Sequence, residues 1–300
     1  MAPRPHLHTS AVIPNRWKRP FNRVGLKPMT IGIAALCERK GCIVVASDML
    51  LTFGAGISPN EYTGKVFDLP LGLYAVVAGT YSDCQSIISE IAARLRDLEV
   101  EQTGKEIYIE HVIKKVMRSQ FHILEIICQE KFHNILLTSI DQWHKGPLDV
   151  RLYRGGKAII RSTDIQADLL IAGFLNSGPL ILQIIGKRKP NEEVNYAGIG
   201  SGLDYAYDDL SKRGQGPWCN LPRTLLHLSL AMEAARRDQY VGNPNHFLVV
   251  LPNERKIFPS NSHLLNKWKV QDGIDSSALD LDKQAVSDLQ GSFIPGPLTA

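Results

Sequence analysis

The sequence has no long apolar run, no paired-cysteine motif and no histidine cluster in its body. No stretch approaches the roughly 18 uninterrupted apolar residues of a transmembrane helix, so no membrane span is expected. The five cysteines, Cys37, Cys42, Cys84, Cys128 and Cys219, are odd in number and contain no CxxC pair. That argues against a zinc site or a disulfide framework and makes a reduced, cytoplasmic compartment the default. Outside His6 and His8, the nine histidines form no HxH or HxxxH pair, so no metal is expected. Residues 1–28 contain no acid but six basic residues (Arg4, Arg16, Lys18, Arg19, Arg23, Lys27), and setting these aside turns the formal +4 into −2. The body therefore lacks the basic signature of a nucleic-acid binder.

What is present suits a soluble globular chain. Hydrophobic residues make up 44% and charged residues 21% of 300 positions, enough for one large core or two small ones. Residues 1–28 carry five prolines and little periodicity, which predicts a disordered extension. It lacks the apolar segment of a secretory signal. A propeptide, a targeting arm and too early a start codon all fit it, and Met29 directly before Thr30 favours the last.

From Thr30 the pattern is β. Residues 30–37 and 42–48 read as a hairpin around Glu38-Arg39-Lys40-Gly41. A Gly-rich loop (52–59) follows, then a second hairpin over 63–79. Cys84, Ile87, Ile88, Ile91, Leu95 and Leu98 form a helical stripe with Ser82 as a candidate cap. Ile109, Val112, Ile113, Val116, Met117, Leu124 and Ile127 form another. Residues 133–167, with Gly146-Pro147 and Gly155-Gly156, read as an inserted hairpin or arm with strand-like pieces at 148–153 and 157–161. Strands are predicted at 168–174 and 179–186, then Tyr196–Gly202, a helix stopping at Gly214, a helix from Pro222 to about Arg237, and a strand at 247–251. The C-terminal segment, 259–300, reads as a tail without sustained pattern beyond about 270. No internal repeat is evident. Blocks of strands alternating with pairs of helices suit antiparallel sheets covered by helix pairs.

Several short motifs fall in a fixed order: Thr30-Ile31-Gly32-Ile33-Ala34, Val45-Ala46-Ser47-Asp48, Gly64-Lys65-Val66, Ala78-Gly79-Thr80, Gly200-Ser201-Gly202 with Tyr205-Ala206-Tyr207, and Ala235-Arg236-Arg237-Asp238. In this order they resemble the proteasome β-type peptidases, including bacterial two-component protease subunits, within the N-terminal nucleophile hydrolases. The resemblance covers roughly 30–255, apart from 133–167. It implies an α+β, four-layer αββα sandwich and assembly into a homo-oligomeric ring. It also implies polypeptide substrates, an ATP-dependent unfoldase as partner and no cofactor.

The resemblance makes Thr30 the nucleophile. A threonine hydroxyl is a poor one, but a free α-amine on the same residue, with an ordinary pKa of about 7.7–8.0, can take its proton. That requires Thr30 to be the first residue. Lys65 would stand beside it and lower the proton affinity of neighbouring groups, with Asp48 holding Lys65 charged and oriented. The N–H of Gly79 would point at the developing oxyanion, a donor worth about 3–4 kcal/mol in other enzymes. By resemblance, Ser201 and Asp238 hydrogen-bond the nucleophile's amine and hydroxyl. Each also has a plainer reading: a strand-end carboxylate, a solvated lysine, a turn glycine, an N-cap and a helix-end residue. Asp238 at a helix C-terminus opposes the helix dipole, which asks for another reason for its presence.

Gly198-x-Gly200-x-Gly202 invites a phosphate-binding reading. Its third glycine falls one position early for a dinucleotide fingerprint, and no parallel βαβ unit surrounds it. Two departures from the family pattern bear on activity. Active subunits commonly begin Thr-Thr or Thr-Ser, whereas this chain reads Met29-Thr30-Ile31. If Met29 held the nucleophile position, Thr30 would face the opposite side of its strand. Asp48 lies 18 positions after Thr30, two more than the common family spacing. An even extension preserves facing, and an odd one needs a bulge. The second departure is Val241, where a serine is common three residues after the aspartate. Cleavage preference would be set near 49–53 and 74–78. Two other readings stay open: a catalytically silent structural or gating subunit that keeps its extension, and an N-terminal nucleophile amidase acting on a small molecule.

Overall fold

A computed structural model describes residues 30–48, 65–136, 139–145, 150–238, 241, 245–252, 254–259 and 294–295. The extension (1–29), the Gly-rich loop, residues 49–53 and most of the tail beyond 259 lie outside these. The strands are β1 (Ile31–Cys37), β2 (Cys42–Asp48), β3 (Val66–Leu69), β4 (Leu73–Gly79), β5 (Ala167–Leu175), β6 (Gly178–Ile185), β7 (Asn191–Glu192), β8 (Tyr196–Gly200), β9 (Asn245–Leu251), β10 (Glu254–Pro259) and β11 (Ile294–Pro295). The helices are α1 (Tyr81–Glu101), α2 (Ile109–Leu136), α3 (Ile140–Lys145), α4 (Val150–Ser162), α5 (Leu203–Lys212) and α6 (Leu221–Ala235).

The strands form two antiparallel sheets. One runs β11-β10-β9-β2-β1-β8 and the other β3-β4-β5-β6-β7. Strand β1 shows how the layers arise. All seven of its residues are buried, so both faces meet protein. Ile31, Ile33, Ala35 and Cys37 pack with Leu210 of α5 and Leu225, Leu228 and Met232 of α6. Ala34 and Leu36 face the other way, against Val76 and Ala78 of β4 and Leu170 and Ala172 of β5. The outer face of the second sheet packs on α1 and α2 through Ile87, Ile91, Leu95, Val112 and Val116. The order is helices, sheet, sheet, helices: the four-layer αββα sandwich that the resemblance implied, made of antiparallel sheets covered by helix pairs as the alternating blocks suggested. Two sheets buried on both faces also explain the near-continuous apolar runs of β1, β2 and β5.

The helix boundaries differ in detail from the reading of the sequence. Helix α1 begins at Tyr81, after Thr80 in extended conformation, rather than at Ser82. Helix α6 is capped by Asn220, whose side chain accepts a hydrogen bond from Arg223 N at 2.9 Å, with Pro222 in its first turn. Strand β10 and the two-residue β11 extend the first sheet, where the sequence offered no alternating pattern.

The main correction concerns 133–167. Helix α2 runs on to Leu136 and is followed by α3 and α4, where strand-like pieces were expected. The Gly155-Gly156 pair sits inside α4 rather than in a turn. The reason is packing. A Cβ on Gly156 would lie 2.4 Å from the Trp143 indole, and Trp143 is wedged edge-on against Phe132 and stacked on Tyr153. Phe132, Trp143 and Ile159 close a small separate core. The glycine pair thus marks a close helix contact, a use the breaker rule does not separate from a turn. Gly156→Ala is expected to cost about 1–3 kcal/mol by overpacking. Gly155→Ala meets only the tip of Leu136, at 3.2 Å, and is expected to stabilise by about 0.5–1 kcal/mol through helix propensity. Urea midpoints of the two variants check the contrast.

Candidate active site

The β1–β2 hairpin closes at Glu38–Gly41 and opens at Thr30 and Asp48. Side chains alternate along β1, and Gly32 lies on the inter-sheet face: a Cβ there would be 2.5 Å from Val76 Cγ1 on β4. Thr30, two residues earlier, falls on that same face. Lys65, the residue before β3, reaches it from the other sheet.

The three side chains meet in a buried cluster. Lys65 Nζ donates to Thr30 Oγ1 at 2.6 Å and to Asp48 Oδ1 at 2.8 Å. Asp48 Oδ1 also accepts from Ile31 N at 3.2 Å, tying the carboxylate to the strand next to Thr30. Thr30, Asp48 and Lys65 are 6%, 1% and 3% exposed, so the ion pair is almost fully out of water. Burial pulls the Lys65 ammonium below the usual lysine value, and the Asp48 carboxylate partly opposes this. A lysine with depressed proton affinity next to a hydroxyl can stabilise an oxyanion and can take or return a proton.

The sign for stability follows. Folded Lys65 holds its proton less tightly than the unfolded chain, so the unfolded state binds more protons between the lowered value and 10.5. The penalty of burying the ammonium is full below the folded pKa and is relieved as pH rises through that window. The urea midpoint of the wild type relative to a Lys65→Met variant is therefore expected to rise from neutral pH towards 10.5. A flat difference would contradict this.

Strand β8 and the segment after it form the other wall. Ser201 N donates to Thr30 O at 3.1 Å. Gly200, paired with Ile31, has φ of 102°, and a Cβ there would sit 1.7 Å from Thr30 O. Only glycine allows this approach. The Gly-x-Gly-x-Gly spacing was the signal for it, serving backbone contact with Thr30 rather than phosphate. Ser201 Oγ is buried without a hydrogen-bond partner. Gly202 lies against the end of α6: a Cβ there would be 2.7 Å from Ala235 O and from Val241 Cγ2. Asp238 sits in the turn just beyond, where its N–H donates to Ala235 O and its carbonyl accepts from Val241 N. This brings the Asp238 turn beside Ser201-Gly202, with the Val241 methyl where a hydroxyl would be expected.

Gly79 ends β4 with φ of 142°, and a Cβ there would collide with Gln166 O at 2.1 Å. Thr80 N donates to the same carbonyl at 2.7 Å. The Gln166 backbone thus fixes the strand end that carries Gly79, a role without a sequence signal. Of the six candidates, Thr30, Asp48 and Lys65 share hydrogen bonds, Ser201 touches Thr30 through its backbone, the Asp238 turn lies beside Gly202, and Gly79 stands at the end of β4. Among the described residues no group of three or more His, Cys, Asp or Glu could hold a metal.

No curated protein matches the chain. Residues 31–142 match the model of the proteasome subunit family, a span that covers β1 to β4, α1 and α2 and begins one residue after Thr30. Over that span, and in its two-sheet sandwich, the chain is similar to the proteasome subunit family.

Proposed function

We propose that the protein is a threonine-type endopeptidase of the proteasome β kind, acting once Thr30 is the first residue. The observation that carries this reading is the buried Thr30–Lys65–Asp48 cluster, with Lys65 Nζ 2.6 Å from the hydroxyl oxygen. While Met29 is attached, the Thr30 nitrogen is an amide and not a base. Removal of residues 1–29 would convert it to an amine on the residue whose carbonyl Ser201 N already contacts, and Ser201 Oγ, buried without a partner, could then accept from it. The amine takes the Thr30 hydroxyl proton, Oγ1 adds to a peptide carbonyl, and Lys65 stabilises the charge developing nearby. The Gly79 N–H serves the carbonyl oxyanion. The Thr30 ammonium passes its proton to the leaving nitrogen, and collapse expels the amine half of the substrate and leaves an ester on Thr30. Water, deprotonated by the same amine, then releases the acid half. Polypeptide chains, a homo-oligomeric ring and an ATP-dependent unfoldase complete the reading.

A silent structural subunit is the second reading, favoured by Val241, which leaves one hydroxyl fewer around the amine. The intact mass of protein from its native host, beside a Thr30→Ala variant, separates the two. A mass starting at Thr30, with turnover of a fluorogenic peptide, is expected. A mass that retains 1–29, with no turnover, would establish the silent subunit. If only the variant keeps its extension, removal is autocatalytic.

A further inference from the structure

The closed end of the β1–β2 hairpin carries a second arrangement that the peptidase reading does not use. Cys37 and Cys42 are direct register partners in the antiparallel pair. Both side chains lie on the face turned to α5 and α6, and both are buried, at 0% and 1% exposure. Both are free thiols. Cβ atoms of directly opposed residues in an antiparallel pair lie about 4.5–5.5 Å apart. A disulfide needs about 3.5–4.5 Å, so closure asks for a shift of roughly 1 Å with no change of register.

We infer that Cys37 and Cys42 form a redox modification site, a dithiol that a hydroperoxide converts to a cross-strand disulfide and a thiol reductant reopens. The steps balance. One sulfur attacks the peroxide, its thiol proton and one peroxide O–H group leave as water, and a sulfenic acid remains. The other sulfur displaces that hydroxyl, which leaves with the second thiol's proton as a second water, and the S–S bond forms. Two thiols lose two electrons, and the peroxide becomes two waters.

Near the pair, Thr224 on α6 accepts from Gln215 Nε2 at 3.3 Å, Gln215 is held in turn by His227 Nδ1 at 2.9 Å, and Cys42 Sγ makes a long contact to the Ile43 carbonyl, at 3.8 Å. Either sulfur can attack and the other resolve, and both orders give the same disulfide. Burial and the neighbouring thiol hold Cys37 well above the ordinary thiol range, so attack waits on opening of the hairpin tip. The tip residues Glu38, Arg39, Lys40 and Gly41 are all exposed, and opening must break the hydrogen bonds of Glu38 N to Cys219 O and of Arg39 N to Pro217 O. A disulfide drawn in across a strand pair is strained and hence readily reduced, which makes the modification reversible. Its placement gives it a consequence, because the hairpin it would lock carries Thr30 and Asp48 at the other end.

The test uses the tip sequence. Trypsin cuts after Arg39 and Lys40, so Cys37 and Cys42 fall on separate peptides held together only by a disulfide. Native protein is exposed to hydrogen peroxide, unfolded with a thiol alkylator and digested. The expected result is one linked peptide pair, lighter than the two free thiols by two hydrogens, with Cys84, Cys128 and Cys219 alkylated and the link lost after dithiothreitol. In Cys42→Ala the Cys37 sulfenic acid is expected to accumulate and react with dimedone. Five alkylated cysteines after peroxide, or a link through Cys219 instead, would overturn the inference. Neither readout depends on peptidase activity.

Discussion

Thr30→Ala, prepared with residue 30 as its first residue, is expected to lose peptide turnover by a factor on the order of 10⁴ or more. The scale comes from serine proteases, where deleting the nucleophile costs about 10⁶ in kcat. Preparing the variant already trimmed separates loss of the nucleophile from loss of processing. The fold should hardly notice. Thr30 contributes one hydrogen bond to Lys65, and Lys65 keeps its bond to Asp48, so stability should fall by only about 1 kcal/mol. Thr30→Ser keeps the oxygen and should retain measurable turnover. A trimmed Thr30→Ala protein with wild-type turnover would place the nucleophile elsewhere.

Lys65→Met has the largest expected effect on the fold itself. Asp48 and Lys65 have side chains 0% and 1% exposed. Removing the cation strands a carboxylate in a site that cannot hydrate it, at a cost of about 3–5 kcal/mol. Adding Asp48→Asn in the same chain should recover most of that loss. Asparagine is neutral, and its Oδ1 can still accept from Ile31 N in place of the carboxylate. Urea unfolding of both variants is the measurement. Equal losses in the single and double variants would mean that lost packing, rather than the stranded charge, dominates. Neither variant should turn over peptide, so the pair also separates a stable site from a working one.

The architecture was legible because it rests on period and punctuation. The apolar runs of β1, β2 and β5 and the helical stripes of α1 and α2 each follow from burial of one or both faces. Segment 139–162 was not legible for a definite reason. Gly155 and Gly156 are breakers in the local code, and only contact with Leu136 and Trp143 reveals their helical use. Strand β11 is two residues long and exists by pairing with β10, so its own sequence carries no signal. Within the site, Thr30, Asp48 and Lys65 could be named because the order of short motifs resembles a family pattern; taken alone, a strand-end carboxylate and a lysine read as solvated residues. Gln166 could not, since it acts through its carbonyl, which every residue has. Gly200 was visible as a glycine but not as the spacer against Thr30 O.

The turn at Glu38–Lys40 bears on the order in which the molecule comes together. All three residues have positive φ, at 50°, 54° and 75°, a conformation that disfavours side chains with a Cβ. What holds them arrives from far along the chain: Glu38 N donates to Cys219 O, Arg39 N to Pro217 O, and Leu221 N to Glu38 Oε1 across 183 positions. A hairpin that looks local is thus completed by distant partners, as is its Thr30 end by Ser201. Long loop closure must precede both sets of contacts, so the β1–β2 unit is expected to consolidate late, with low φ-values for its turn. A nascent or partly folded chain would therefore lack the ordered Thr30 end of this hairpin until β8 and the segment before α6 are in place.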